Sequence, residues 1–206
     1  MKLKLISALV AGLLSTAPAF SATLDFQGAG AYNFIQDYYN GGTNDAGASG
    51  TNFGISFGPD ALALDNDDFF TYYSNSPNAG ILAAVGEQAA LNVATGFSGA
   101  VSFWYSASEN TAVTIFSGLN GTGDVLGTFN LLANAQNGCS DTLYCHWDFA
   151  SLTLSGVARS IQFGGSAGVA GFDNISVAPV PLPAAGWAML SALGGLGAIR
   201  RRQRAA

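Results

Sequence analysis

The chain has 206 residues, with seven Lys or Arg against thirteen Asp or Glu and a formal net charge of −6. Six of the seven basic residues (Lys2, Lys4, Arg200, Arg201, Arg202 and Arg204) lie at the two ends, so the stretch between them sets thirteen acids against Arg159 alone, a formal −12. Such a surface repels nucleic acid and anionic lipid, and it rules out nucleic acid as a partner.

Lys2 and Lys4 precede an apolar core from Leu5 to Leu14 and then small residues, the layout of a secretory signal peptide. Ala19-Phe20-Ser21 meets the small-x-small rule, which places cleavage after Ser21 and makes 1–21 the signal peptide. Ala17-Pro18-Ala19 offers a second position, after Ala19. The ectodomain then runs from Ala22 to Pro179, long enough for one domain with a real core.

Many glycines, plentiful Phe and Tyr and few Glu, Lys or Arg argue for β structure in that region. The first strand is predicted at Thr23–Gln27. The polar, glycine-rich stretch Tyr38–Asn52 reads as a long ordered loop, in which Asp37, Asn44 and Asp45 either present oxygens to a ligand or supply turn conformations. A strand at Asn52–Phe57 follows. Asp60, Asp65, Asp67 and Asp68 then crowd together as a solvated acidic turn, because Phe69 and Phe70 spoil the EF-hand template.

Further strands are predicted at Gly80–Val85, Ala89–Ala94 and Val101–Ser106, where Val101, Phe103 and Tyr105 share one face. Thr111–Ser117 and Asp124–Leu131 flank the glycine-rich hairpin loop Gly118–Gly123. Trp147–Leu154, Ser160–Phe163 and Gly171–Val177 complete about ten short strands. That number of strands, separated by turn signals, predicts an all-β antiparallel sandwich, with a jelly roll as first topology.

Cys139 and Cys145 are the only cysteines. In an exported chain their close spacing around a Ser140-Asp141-Thr142 turn predicts a local disulfide. His146 is the only histidine, and there is no Gly-x-Ser-x-Gly elbow, two-histidine metal motif or phosphate loop. The chain is therefore read as non-catalytic. A glycan-active enzyme would need two carboxylates facing each other across an aromatic groove. Tyr38, Tyr39, Tyr72, Tyr73, Trp104 and Trp147 are candidates for stacking on sugars, with Tyr39 and Tyr73 picked out because each follows a tyrosine and precedes a polar turn segment.

The C-terminus carries Val180-Pro181-Leu182-Pro183-Ala184, an uncharged apolar run to Ile199, and then Arg200, Arg201, Arg202 and Arg204. As a helix the run is roughly 24 Å long, enough to anchor in a membrane with snorkelling arginines that stay cytoplasmic. This order of parts closely resembles the sorting signals of exosortase substrates, the PEP-CTERM class, in the variant with Leu182 where the commonest form has glutamate. The resemblance implies an exosortase partner, transient anchoring, removal of the helix within 180–206, and release to the cell surface or extracellular matrix.

Tyr39-Asn-Gly-Gly-Thr43, Ser49–Phe57, Gly118–Gly123 and Gly171–Ser176 resemble ectodomains that accompany such tails. The closing Phe-Asp-Asn-Ile also resembles the last strand of carbohydrate-binding-module-like jelly rolls. That resemblance implies exopolysaccharide as a partner and a structural calcium held by Asp25 and Asp173.

Overall fold

The computed structural model describes residues 21–66 and 72–180. The signal peptide as far as Phe20, Asp67 and Asp68, and Pro181, Leu182, Pro183, Ala184, Arg200, Arg201, Arg202 and Arg204 lie outside the described residues, as does the apolar run between them. Among the described residues no helix is long and apolar enough to cross a membrane.

The described residues form ten strands: β1 Ala22–Leu24, β2 Asn33–Phe34, β3 Ile55–Phe57, β4 Ala61–Asp65, β5 Gly80–Ala84, β6 Ala90–Ala107, β7 Thr111–Phe116, β8 Val125–Leu131, β9 Asp148–Gln162 and β10 Ala170–Val177. Every pairing between them is antiparallel. The fold is the all-β sandwich expected. Its non-sequential neighbours, β10 between β5 and β6 and β9 between β6 and β7, are those of a jelly-roll or Greek-key arrangement.

Two long strands hold the sandwich together, and both were read from sequence as pairs of short ones. The first half of β6 pairs with β3 and the end of β9, and its second half pairs with β10 and the start of β9. Register shifts on either side of Phe97 bend it, with Gly96 and Gly99 at φ +85° and +80° supplying backbone that L side chains rarely adopt. One sheet thus contains β3, β6, β9, β7 and β8. The other contains β2, β4, β5, β10, β6 and β9, with β1 beside β10.

The two inner faces close on a core of aromatic and branched side chains. Phe103 lies 4.5 Å from Phe129 and 5.4 Å from Phe172 between ring centroids, and Phe163 lies 4.8 Å from Phe172. Phe26, Tyr39 and Phe57 form a second aromatic knot beneath the Tyr38–Asn52 loop. That loop is ordered as predicted, and Asn44 explains why. Its amide donates to the Ala29 carbonyl at 2.7 Å and its Oδ1 accepts from the backbone of Ala46 and Ala48. Asn44 is consumed by the loop and is not offered to a ligand.

The acidic-turn expectation is corrected at its centre. Ala61–Asp65 is strand β4, paired along its length with β5. Asp60 sits before it, and its Oδ2 accepts from the Gln88 backbone at 2.8 Å, tying the β5–β6 turn to the start of β4.

Candidate functional site

Period-2 alternation sends Val101, Phe103 and Tyr105 of β6 inward and Ser102 and Trp104 to the outer face, where Ser106, in the same register, is fully buried. On that outer face Trp104 stands opposite Phe149 of β9 on one side and Asp173 of β10 on the other. The Trp104 and Phe149 rings are tilted, with centroids 5.6 Å apart. Phe149 is 57% exposed, an unusual place for a ring that burial would stabilise.

Two residues along the strands lies a different row. Thr23 pairs with Ser176, Ser176 with Ser102, and Ser102 with Ser151, so β1, β10, β6 and β9 each place one hydroxyl on the same line. A bulge between Asp173 and Ser176, with Asn174 at φ 50°, brings both of those residues onto the outer face. At strand spacing the row is about 14 Å long. The Ser176 hydroxyl meets Ser21 at 2.8 Å, while those of Thr23, Ser102 and Ser151 have no protein partner among the described residues. Aromatic faces beside free hydroxyls can stack on apolar C–H surfaces and exchange hydrogen bonds with polar groups in both directions.

Next to this patch the same sheet face is covered. The segments 72–79 and 134–147 join through a parallel bridge between Tyr73 and Tyr144 and pack over β4 and β5. Trp147 donates its indole N–H to the Ser74 carbonyl at 2.9 Å, and Asn75 donates to Asp141 and to the Cys145 carbonyl. The predicted disulfide between Cys139 and Cys145 is present and closes this layer. At its border a groove of about 310 Å3 is lined by Tyr32, Leu62, Leu64, Tyr72, Val85 and Leu143.

Tyr39 and Tyr73 are corrected as sugar platforms. Both rings are buried. Tyr39 accepts the Phe26 backbone N–H through its hydroxyl at 2.9 Å, and Tyr73 stacks on Tyr144 with centroids 4.8 Å apart. Burial pushes both phenols above their ordinary pKa. Tertiary packing hides these rings, and neighbouring turn residues gave no sign of it. Trp104, in the wider set of aromatic candidates, does reach the outer face. Phe149 and the hydroxyl row were missed. The alternation Phe149, Ser151, Thr153 was a usable signal, because a ring sharing a face with serine and threonine points toward water, although Trp147 in the same register is buried in the covering layer.

Asp25 and Asp173 are brought near each other, as expected for the first and last strands. Burial pushes the Asp173 carboxyl up to about 6, against the lowering effect of hydrogen bonds from Asn78 and Asn174, and the Asp25 charge adds a smaller push upward. Its Oδ2 accepts from the Asn78 backbone and its Oδ1 from the Asn174 backbone, each at 2.6 Å. Asp25 accepts from the Gln27 backbone at 3.2 Å. Calcium takes six to eight oxygens. Here the carboxylates meet N–H donors, and among the described residues no group of three or more His, Cys, Asp or Glu could hold a metal. The residues present account for a hydrogen-bonded clamp and fit a calcium cage poorly.

His146 lies 3.2 Å from Asp148 on an open strand start. The other Asp148 oxygen accepts from Asn134. This contact orders the entry to β9, and among the described residues no hydroxyl nucleophile joins it.

No family model matches the sequence, and no curated protein matches it. Among solved structures the chain is similar to a family 29 carbohydrate-binding module from Piromyces equi, at 11% identity and TM-score 0.39, covering 79% of this chain and 92% of that one. It is also similar to a family 6 module from Clostridium stercorarium in complex with cellobiose, at 17% identity and TM-score 0.39, covering 59% and 83%. A third likeness is to the catalytic domain of a family 87 α-1,3-glucanase, at 14% identity and TM-score 0.43, covering 64% of this chain and 27% of that one. At such scores no ligand or activity carries over.

Proposed function

We propose that this chain is an exported, non-catalytic β-sandwich that binds polysaccharide through the outer face carrying Trp104 and Phe149, and that it acts at the cell surface or in the extracellular matrix. The observation that carries the reading is the exposed ring of Phe149 held against Trp104 beside the row Thr23, Ser176, Ser102 and Ser151. A pyranose has one apolar C–H face and a rim of hydroxyls, and this surface offers the complement of each. Export by the 1–21 signal peptide and exosortase processing at Val180–Ala184 supply the route. The membrane is a partner only until the tail is removed.

Affinity electrophoresis of the exported protein through gels containing dissolved polysaccharides tests the reading. Retardation is expected for the wild type and is lost in Trp104→Ala and Phe149→Ala. Because Phe149 is largely exposed, its truncation should leave the melting temperature nearly unchanged. Retardation that is equal in all three proteins would move the site elsewhere.

A further inference from the structure

We infer that the glycan taken by this face is a neutral, extended chain that crosses the strands, its sugar rings over Trp104 and Phe149 and its hydroxyls over the row Thr23, Ser176, Ser102 and Ser151. This rests on the polysaccharide-binding reading and narrows it to a ligand class and a direction.

The class follows from charge. Anionic sugars carrying carboxylate or sulfate are recognised by Arg or Lys, whose N–H groups pair with the anion. The region between the two basic termini has one such residue, Arg159, against thirteen acids. Arg159 lies in the far half of β9, beside the Gly96 bend, where the strand belongs to the other sheet. The charged group beside the aromatic pair on this face is a carboxylate, Asp173 opposite Trp104, while Asp148 shares the other face with its register partner Tyr105. A uronate or sulfate placed here would meet like charge without a partner. Ser and Thr hydroxyls both donate and accept, as sugar hydroxyls do.

The direction follows from register. The ring pair Trp104–Phe149 and the hydroxyl row both run across the strands, and they lie two residues apart, about 7 Å. A chain laid across the strands keeps both kinds of contact along its length. One laid along a strand would leave the aromatic pair after a single sugar. Since the row is about 14 Å long, a monosaccharide covers only part of it.

The test uses the exported protein with three probes: a neutral β-glucan and its oligomers, a polyuronate, and the matching monosaccharide. Calorimetry at low and high salt gives the affinities. The expected result is neutral-glucan binding insensitive to salt, stronger for oligomers than for the monosaccharide, and weakened about tenfold in the double variant Ser102→Ala, Ser151→Ala. Preference for the polyuronate, or binding abolished by salt, overturns the neutral class while polysaccharide binding itself stands. An unchanged affinity in the serine variant alongside a loss in Phe149→Ala overturns the hydroxyl row. Binding of none of the probes removes the inference, and electrophoresis with other polysaccharides then decides whether the broader reading falls with it.

Discussion

Asn78 donates its backbone N–H to Oδ2 of Asp173 at 2.6 Å across 95 positions of sequence. The bond fastens the covering segment before β5 to the middle of the last strand. Asn78 also donates its side-chain amide to Asn174 at 2.6 Å and accepts from Gln27 at 3.3 Å, so three distant pieces of chain meet around Asn78.

A pH dependence follows. The Asp173 carboxyl, buried and pushed up to about 6 from 3.8, holds its proton in the folded state at pH values where the unfolded chain has released it. Stability from this group is therefore greatest below the unfolded value and falls as pH rises from about 4 through about 6. The melting temperature should rise as pH is lowered from 7 to 5, and by less in Asp173→Asn. That variant should also be less stable at every pH, because an amide replaces one of the two acceptors with a donor. An identical slope in both proteins would assign the effect to the remaining carboxylates.

The same geometry bears on calcium. A cation bound only by the folded state stabilises it by RT ln(1 + [L]/Kd), about 2.7 kcal/mol at a hundredfold excess over Kd. With Asp173 satisfied by two N–H donors, equal melting temperatures in EDTA and in millimolar calcium are expected. A rise of several degrees with calcium, lost in Asp25→Asn, would establish a metal clamp in place of the hydrogen-bonded one.

The disulfide closes a short loop between Cys139 and Cys145, and chain entropy assigns it about 2 kcal/mol. Cys139→Ser with Cys145→Ser should lower stability by about that amount. Amides of the 134–147 segment should exchange faster than those of β6, since beyond the bonds of Asn134 and Ala135 to the Ala107 carbonyl the segment holds to the sheet through side-chain contacts of Tyr144 and Trp147. Non-reducing peptide mapping should recover one cross-linked species. Alkylation of both thiols in natively exported protein would refute the pairing.

How much of this was legible varies by element. β7 and β8 were placed within a residue or so because each buries one face only, and their alternation is undisturbed. β6 and β9 were each split in two, since a strand that leaves one sheet for the other changes its inner face at the bend. β4 was hidden by the acids around it, and its Ala-Leu-Ala-Leu core is packed on both sides, so the strand lacks a polar face to mark its period. The disulfide and the meeting of Asp25 with Asp173 were readable from spacing and from their place in the first and last strands. The aromatic face was only half readable: which rings are covered depends on the 72–79 and 134–147 layer, and local sequence does not encode where that layer lands.

Gly171 sits under that layer. A Cβ there would lie 2.3 Å from the Tyr73 ring, far inside contact distance. Gly171→Ala should push Tyr73 off the sheet and loosen its stack on Tyr144, at a cost of about 1–3 kcal/mol. Near-ultraviolet circular dichroism should report the loss of tyrosine order. The far-ultraviolet strand signal should persist, because β10 keeps its ladder with β6. Collapse of both signals together would show that the layer and the sandwich fold as one unit.

The last prediction concerns processing. Ser98 donates to the Ala178 carbonyl, Pro179 bridges Phe97, and Val180 donates to the Gly96 carbonyl at 2.9 Å. The chain is thus held to the bend of β6 up to the first residue of the Val180–Ala184 motif. Among the described residues the buried core ends earlier, at Val177. Cleavage at or after the motif leaves every buried side chain described for the sandwich on the retained part. Native protein should therefore show, by intact mass, loss of the signal peptide and of the Arg200–Arg204 tail, and the processed form should melt at the same temperature as the sandwich before processing. Recovery of the complete tail from surface material would replace exosortase sorting with a plain membrane anchor.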